Sequence, residues 1–300
     1  MLMQDARPES FERAGKADAL FNAMSVDIED WFQVGAFETV IDRADWDRLE
    51  QRVERNSDAV LHLFEEAQIK GTFFILGWVA ERHPKLMQRI VAAGHEVASH
   101  GYDHKRVFNM TPDEFGSDLE RSRKILEDSS GQKVIGYRAP SFSIDQRTPW
   151  AHEILAEHGY HYSSSVAPIN HDHYGWAGSP RFAWKPIQGS DLIELPVTTV
   201  KIGNRLLASG GGGFFRLLPY FVYDWAIHKI HQQDGRSAIF YFHPWEIDPG
   251  QPRVANAPFK SKIRHYTNLK FMRAKLARAA RDFKWGRMDE LVALEAEILR

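Results

Sequence analysis

Apolar and polar positions change period along this chain in a regular way. Compact apolar or β-branched runs, "GTFFILG" (71–77), "HEVASH" (95–100), "VIGYRAP" (134–140), "LIELPV" (192–197) and "SAIFYFHP" (237–244), have the length and side-chain type of buried strands. Between them the apolar positions recur at helical spacing, which predicts helices over 57–67, after Asn56-Ser57, and over 84–93, opened by Pro84. The helix from residue 112 has the clearest start, because Thr111-Pro112-Asp113-Glu114 joins a capping box to a proline at the first helical position. Three more helices are predicted over 219–233, 263–283 and 287–299. Strand and helix in alternation specify an α/β fold with a parallel sheet, open or closed into a barrel.

Residues 1–21 are polar and aperiodic and are expected to form a mobile leader. A single domain is expected over 22–300, with helical additions from about 255 to 300, because a candidate site residue, His243, lies so far downstream. At 300 residues and 43% apolar content the chain can bury a large core. Its 38 basic and 40 acidic side chains nearly cancel, so no electrostatic footprint points to nucleic acid. The absence of cysteine excludes disulfide frameworks and thiolate zinc sites, and confines any metal to histidine and carboxylate ligands. The first residues hold no signal-peptide core, and no run of ~18 apolar residues predicts a transmembrane segment. A soluble cytoplasmic protein is the expectation.

Parallel α/β folds bind ligands where strands end, so the informative residues are polar ones that close apolar runs. Four places qualify: Asp27-Ile28-Glu29-Asp30, His100 with His104, Arg138-Ala139-Pro140-Ser141, and His243-Pro244-Trp245. Each has an ordinary reading by itself. The histidine pair is a spacing that arises by chance, the acidic cluster a solvated helix start, His243 a core histidine, and Arg138 an ion-pair partner. Together at strand ends they point to one site. Clustered carboxylates at a buried strand end repel one another unless a cation sits among them. Two neutral imidazoles and one carboxylate then make a three-ligand zinc or iron site with room for water and substrate. Strand alternation puts Asp27 and Glu29 on one face and favours Glu29 as the acidic ligand. A turn beginning there brings Asp30 round instead, and both remain open.

These residues resemble the polysaccharide deacetylases of the NodB-homology class, carbohydrate esterase family 4. "MSVDIEDW" is similar to the first motif, "SHGYDH" to the metal-binding histidine motif, "YRAPS" to the R-x-P motif of the cleft, and "FYFHPWE" to the last motif. The match runs over about 22–245 in the family's order. "SVDIEDWFQV", "GYHYSSSVAPINHDHYG" and "FYFHPWEIDPGQPR" further resemble the subgroup found with exosortase (PEP-CTERM) exopolysaccharide loci. The resemblance implies a distorted (β/α) barrel of about seven parallel strands and removal of N-acetyl groups from hexosamines of an exopolysaccharide or its lipid-linked precursor. It implies a divalent metal, zinc foremost, held by His100, His104 and Glu29 or Asp30. Asp27 would be the base, His243 the general acid, and Arg138 the side chain that fixes Asp27. A backbone N–H near Ser141 would help to hold the oxyanion, and Pro140, Ser141 and Trp245 would line the substrate cleft. This sequence departs from the pattern in two places: Ile28 separates Asp27 from Glu29, and Ser163 stands in a segment where many relatives have an aspartate. Asp145 or Asp248 would then support His243, or the pKa of His243 would be less elevated.

Trp31, Trp176 and Trp184, like Trp245, are candidates to stack on sugar rings, with core packing the alternative. His171, Asp172 and His173 form a glycan-contacting loop in preference to a second metal site. "SGGGGFFRLLP" lacks the ending of a nucleotide-binding loop and reads as a flexible turn. Beside it, Arg205 and Arg216 are candidates to touch a lipid-linked diphosphate at the inner membrane face. The basic stretch 260–287 reads as a solvated face. Two other functions compete: an amidohydrolase of a small ring amide on the same barrel, and a glycan-binding relative without turnover.

Overall fold

A computed structural model describes residues 20–170 and 175–300. The expected 1–21 leader, apart from Leu20 and Phe21, and the loop residues His171, Asp172 and His173 lie outside the described residues.

The sheet begins with β1 (Asn22–Ile28), buried at every position because both of its faces are covered. It continues through β2 (Thr72–Ile75), β3 (Glu96–Ser99), β4 (Gly136–Tyr137), β5 (Tyr162–Ser163) and β6 (Ile193–Glu194). An antiparallel pair, β7 (Thr199–Ile202) and β8 (Arg205–Ala208), stands apart, and β9 (Ile239–Phe242) returns to the sheet. Parallel pairing in the order β9-β1-β2-β3-β4-β5-β6 makes the curled seven-stranded α/β sheet that the sequence predicts. A short β10 (Trp285–Gly286) adds a parallel pairing at the start of β1. Among the described residues β6 and β9 do not pair. Gly210 links the segment after β6 to β9 instead, donating to Thr198 O at 3.1 Å and accepting from Tyr241 N at 2.8 Å.

Register explains why distant residues meet. Ile28 lies opposite Ile75, Ile75 opposite Ser99, Ser99 opposite Tyr137, and Tyr137 opposite Ser163. On the other side Val26 faces Phe242. The residues that follow these positions, Glu29, His100, Arg138, Ser164 and His243, therefore emerge along one rim.

Helices α1 (Val53–Glu66), α2 (Gly77–Arg82), α3 (Pro84–Ala92), α4 (Pro112–Ser130) and α5 (Ala151–Glu157) connect the strands. The capping box of α4 forms as predicted: Glu114 N donates to Thr111 Oγ1 at 3.2 Å and Thr111 N to Glu114 Oε2 at 2.9 Å. Such a cap contributes about 1 kcal/mol. The later part of the chain adds α6 (Gly212–Leu217), α7 (Tyr220–Lys229), α8 (Phe259–Tyr266), α9 (Leu269–Asp282) and α10 (Met288–Ile298).

Several boundaries differ from the sequence-based expectation. The apolar runs 134–140 and 192–197 hold only two paired residues each, since the chain turns into the rim directly after them. The helix expected over 263–283 is two helices, broken where Asn268 adopts φ 60°. The helix expected over 219–233 ends in a wide turn at Ile230–Asp234. Hairpin β7–β8, turning at Gly203-Asn204, was not anticipated.

The glycine tract is not a flexible turn. A β-carbon on Gly210 would lie 2.4 Å from Ile239 O, one on Gly211 2.8 Å from the Tyr241 hydroxyl, and one on Gly212 2.3 Å from Glu246 Oε1. Close approach to β9 and to the Glu246 carboxylate requires glycine at all three.

Candidate active site

At the rim the chain leaves β1, and Glu29 and Asp30 go to different places. Asp30 does not join the histidines. Its carboxylate accepts from Trp31 N at 2.8 Å, Arg52 N at 2.6 Å and Val53 N at 2.9 Å, so it caps the start of α1. Burial raises its pKa to about 6, although those N–H groups act against the rise. Glu29 turns inward, where ligand atoms of Glu29, His100 and His104 all lie within 4.8 Å of one another.

The two histidines meet through a tight turn, not a helix face. Gly101 has φ 74°, and a β-carbon there would sit 3.0 Å from Asp118 Oδ2; His104 has φ 61°. The N-terminus of α2 grips this turn, with Gly77 N donating to Gly101 O and Trp78 N to Tyr102 O, both at 2.9 Å. His100 Nδ1 lies 2.8 Å from Arg138 O, a carbonyl that can only accept, so Nδ1 carries the proton and Nε2 is left with its lone pair.

Glu29 Oε2 lies 3.0 Å from His104 Nε2, yet this buried oxygen finds no hydrogen-bond donor. Burial works against the ionised carboxylate, but His104, His243 and His100 bring its pKa down to about 2. Burial holds His100 largely neutral, with a pKa near 4. A buried carboxylate oxygen left without a donor beside two imidazoles fits a divalent cation, and His₂-carboxylate is a donor set of catalytic zinc.

On one flank Asp27 receives Arg138 Nη1 at 2.6 Å. Arg138 is wholly buried and is held in turn by Ser25 Oγ at 2.8 Å, Ser164 Oγ at 3.0 Å and Ser164 O at 3.2 Å. Its guanidinium carbon stands 4.0 Å above the Phe74 ring. On the other flank His243 Nε2 lies 3.4 Å from Glu29 Oε1, and His243 Nδ1 lies 2.9 Å from Glu246 Oε1. Arg216 Nε donates to Glu246 Oε2 at 2.6 Å. Burial disfavours the charged imidazole of His243, but Glu29 and Glu246 outweigh it and raise the pKa to about 9.

The sequence-based expectation for the partner of His243 is thereby corrected. Asp145 pairs with Arg147, and Asp248 with Arg52 and Arg55, so neither reaches His243. Glu246, three residues on in the turn Pro244–Ile247, does. Arg216 is corrected as well: it is buried under Glu246 and cannot touch a lipid diphosphate, whereas Arg205 is exposed on β8. Sequence reasoning missed Glu246, although a Glu three residues after a His-Pro turn start is a capping-box spacing.

The cleft above these groups has a volume of about 690 Å³ and is lined by Asp27, Glu29, His100, His104, Ser141, His243 and Trp245 among others. Ser141 has φ 54°, a left-handed backbone that orients the rim after Pro140. Trp245 lines the cleft but is only 6% exposed, stacked on His243 and on His265, and its Nε1 donates to Glu29 Oε1 at 3.2 Å. It holds the carboxylate more than it offers an open face. Trp31 belongs to the core, and neither Trp176 nor Trp184 lines this cleft.

Residues 45–163 match the model of the polysaccharide deacetylase family, and this stretch holds both histidines and Arg138. Over that stretch, somewhat less than half of its length, the chain is similar to polysaccharide deacetylases. Residues 164–293 match a second model, a domain of unknown function (DUF3473), which brings His243, Glu246 and Arg216. The chain is 34% identical over 107 residues to a peptidoglycan deacetylase of Helicobacter pylori, a stretch that covers 36% of each protein. With a chitooligosaccharide deacetylase of a Bradyrhizobium species it shares 26% identity over 51% of this chain and 63% of that one. The chain thus spans about a third of the length of the first of these relatives. Its fold matches that of an inferred polysaccharide deacetylase from Mycobacterium smegmatis with a TM-score of 0.61, at 24% identity over 93% of this chain and 91% of the other.

Proposed function

We propose that this protein is a metal-dependent N-deacetylase acting on hexosamine residues of a glycan, an exopolysaccharide or its lipid-linked precursor, and that residues 22–300 work as one catalytic unit. The observation that carries it is the orphaned Glu29 oxygen beside His100 and His104, flanked by a buried Asp27–Arg138 pair and by His243 on Glu246. Relatives named as peptidoglycan and chitooligosaccharide deacetylases support the same chemistry.

Glu29, His100 and His104 would hold the ion, zinc foremost; such an ion lowers the pKa of water to ~7 and polarises a carbonyl. The protein's own groups do the rest. Asp27, oriented by Arg138, accepts a proton from the water whose oxygen bonds to the acetyl carbon. As the carbon–nitrogen bond breaks, His243 Nε2 gives its proton to the departing amine, and acetate and a free amino sugar leave. Glu246, anchored by Arg216, keeps the imidazole turned with Nε2 toward the cleft.

An open cleft of this size favours a glycan over a small ring amide. Base, acid and all three ligand residues are present, which favours turnover over mere binding. The test is acetate release from N-acetylglucosamine oligomers by protein stripped with a chelator and then given zinc. Restored release supports the reading. No acetate across several metals and acetylated glycans, with oligomer binding retained, overturns it in favour of a binding protein.

A further inference from the structure

Away from the cleft, the outer side of hairpin β7–β8 and of α6 and α7 exposes large apolar side chains. Phe221 is 70% exposed, and Ile202, Leu207, Phe214, Leu217 and Trp225 are each more than a third exposed. Ile202, Leu207, Phe214 and Trp225 line one shallow groove between the hairpin and the helices, so this is one patch and not scattered residues. A monomeric protein surface seldom carries such a patch without a partner for it.

Charge identifies the partner. Between Glu194 and Asp224 the chain has no acidic residue, yet it carries Lys201 and Arg205 at the exposed end of the hairpin. Lys229 lies 5.1 Å from the Trp225 ring centroid, and the Asp224 carboxylate lies 3.6 Å from His228. Aromatic and aliphatic side chains with cations at their border suit the boundary between anionic headgroups and acyl chains. A second copy of the chain fits less well, because a self-complementary interface would bring Lys201, Arg205 and Lys229 against their own copies with Asp224 the acid beside Trp225 to offset them.

We propose that this face docks on an anionic lipid bilayer. No helix among the described residues is long and apolar enough to cross a membrane, so the contact is peripheral. A small recess lined by Phe142, Tyr241, Ala208 and Phe214 adjoins both the cleft and the patch. Docking therefore holds the cleft beside the lipid surface, where a lipid-borne glycan presents its sugars. Vesicle binding is read without turnover, so it stands or falls apart from the deacetylase reading.

The experiment is cosedimentation of the full chain with vesicles of phosphatidylglycerol and phosphatidylcholine, or of phosphatidylcholine alone, at several salt concentrations. Binding to the anionic vesicles that weakens with salt is the expected result. The double variant Phe221→Ser/Trp225→Ser should lose it, and Lys201→Glu/Arg205→Glu should lower it by about fivefold or more per cation. Acetate release from soluble oligomers and the circular dichroism spectrum should not change in either variant, which separates lost docking from lost folding. The proposal is overturned if the wild type ignores anionic vesicles or if Phe221→Ser/Trp225→Ser binds them equally. It is overturned too if ultracentrifugation shows a dimer that this variant dissolves, since the face then serves self-association.

Discussion

The two flanks of the candidate site use the same kind of part with opposite polarity. Toward Arg138 the cleft-facing group is a carboxylate, and a buried cation stands behind it. Toward Glu246 the cleft-facing group is an imidazole, and a buried anion stands behind it, itself backed by Arg216. A cation behind Asp27 orients a group that can take a proton; an anion behind His243 favours the form that can give one. On the proposed function, the direction of proton travel across the cleft would be set by what is buried on each side. Each backing group is nearly inaccessible, so its charge acts through protein and little through water.

The largest effect should come from the base flank. Asp27→Asn keeps the shape and hydrogen bonding near Arg138 but cannot accept a proton, and kcat/KM for acetate release should fall by ~10²–10⁴ with zinc content unchanged. An unchanged rate would break the assignment of polarity. Next is the choice between neighbouring acids. Glu29→Gln should weaken zinc affinity by ~100-fold in a chelator competition, an effect of the size ligand-sphere changes produce. Asp30→Asn should leave that affinity alone, and equal losses in the two variants would return Asp30 to the metal.

The acid flank should respond more mildly. In the metal-free protein the His243 ring should titrate near 9 by NMR, since Glu29 and Glu246 hold its proton. Zinc held by Glu29 would offset its charge and should lower that midpoint. Glu246→Gln removes the second anion and should lower it further. The proton-donating form exists below the pKa, so the basic limb of kcat/KM moves to lower pH in Glu246→Gln, with a loss of roughly tenfold in rate at neutral pH. A basic limb that stays in place would mean that Glu246 only shapes the turn. Smallest is stability: Asp30→Asn, which weakens the cap of α1, should cost about 1 kcal/mol in urea unfolding.

The same comparison shows what could be read in the sequence. Asp27, His100 and Arg138 each follow or close a compact apolar run, and parallel register alone brings such strand ends to one rim. That flank was legible, and so was the curled parallel sheet. Glu29 was favoured over Asp30 by alternation, although the decisive fact is that Asp30 finds the α1 backbone. The acid flank was not legible, because Glu246 looks like an ordinary residue of a short turn. Nothing local tells that Arg216 is buried behind it or that Gly212 must be small to admit its carboxylate. Hairpin β7–β8 left a signal, the alternation around Gly203-Asn204, but the neighbouring glycines masked it.

The position of β1 between β2 and β9 bears on how this protein can be dissected. A fragment cut at the junction of the two matched segments, after residue 163, would keep Arg138, His100 and His104 but part with His243. It would also bare one side of the innermost strand, an adhesive edge prone to aggregation. Gene fragments and fusion boundaries drawn by similarity alone would deliver insoluble halves, and mixing such halves is a sterner trial of catalytic unity than any point substitution.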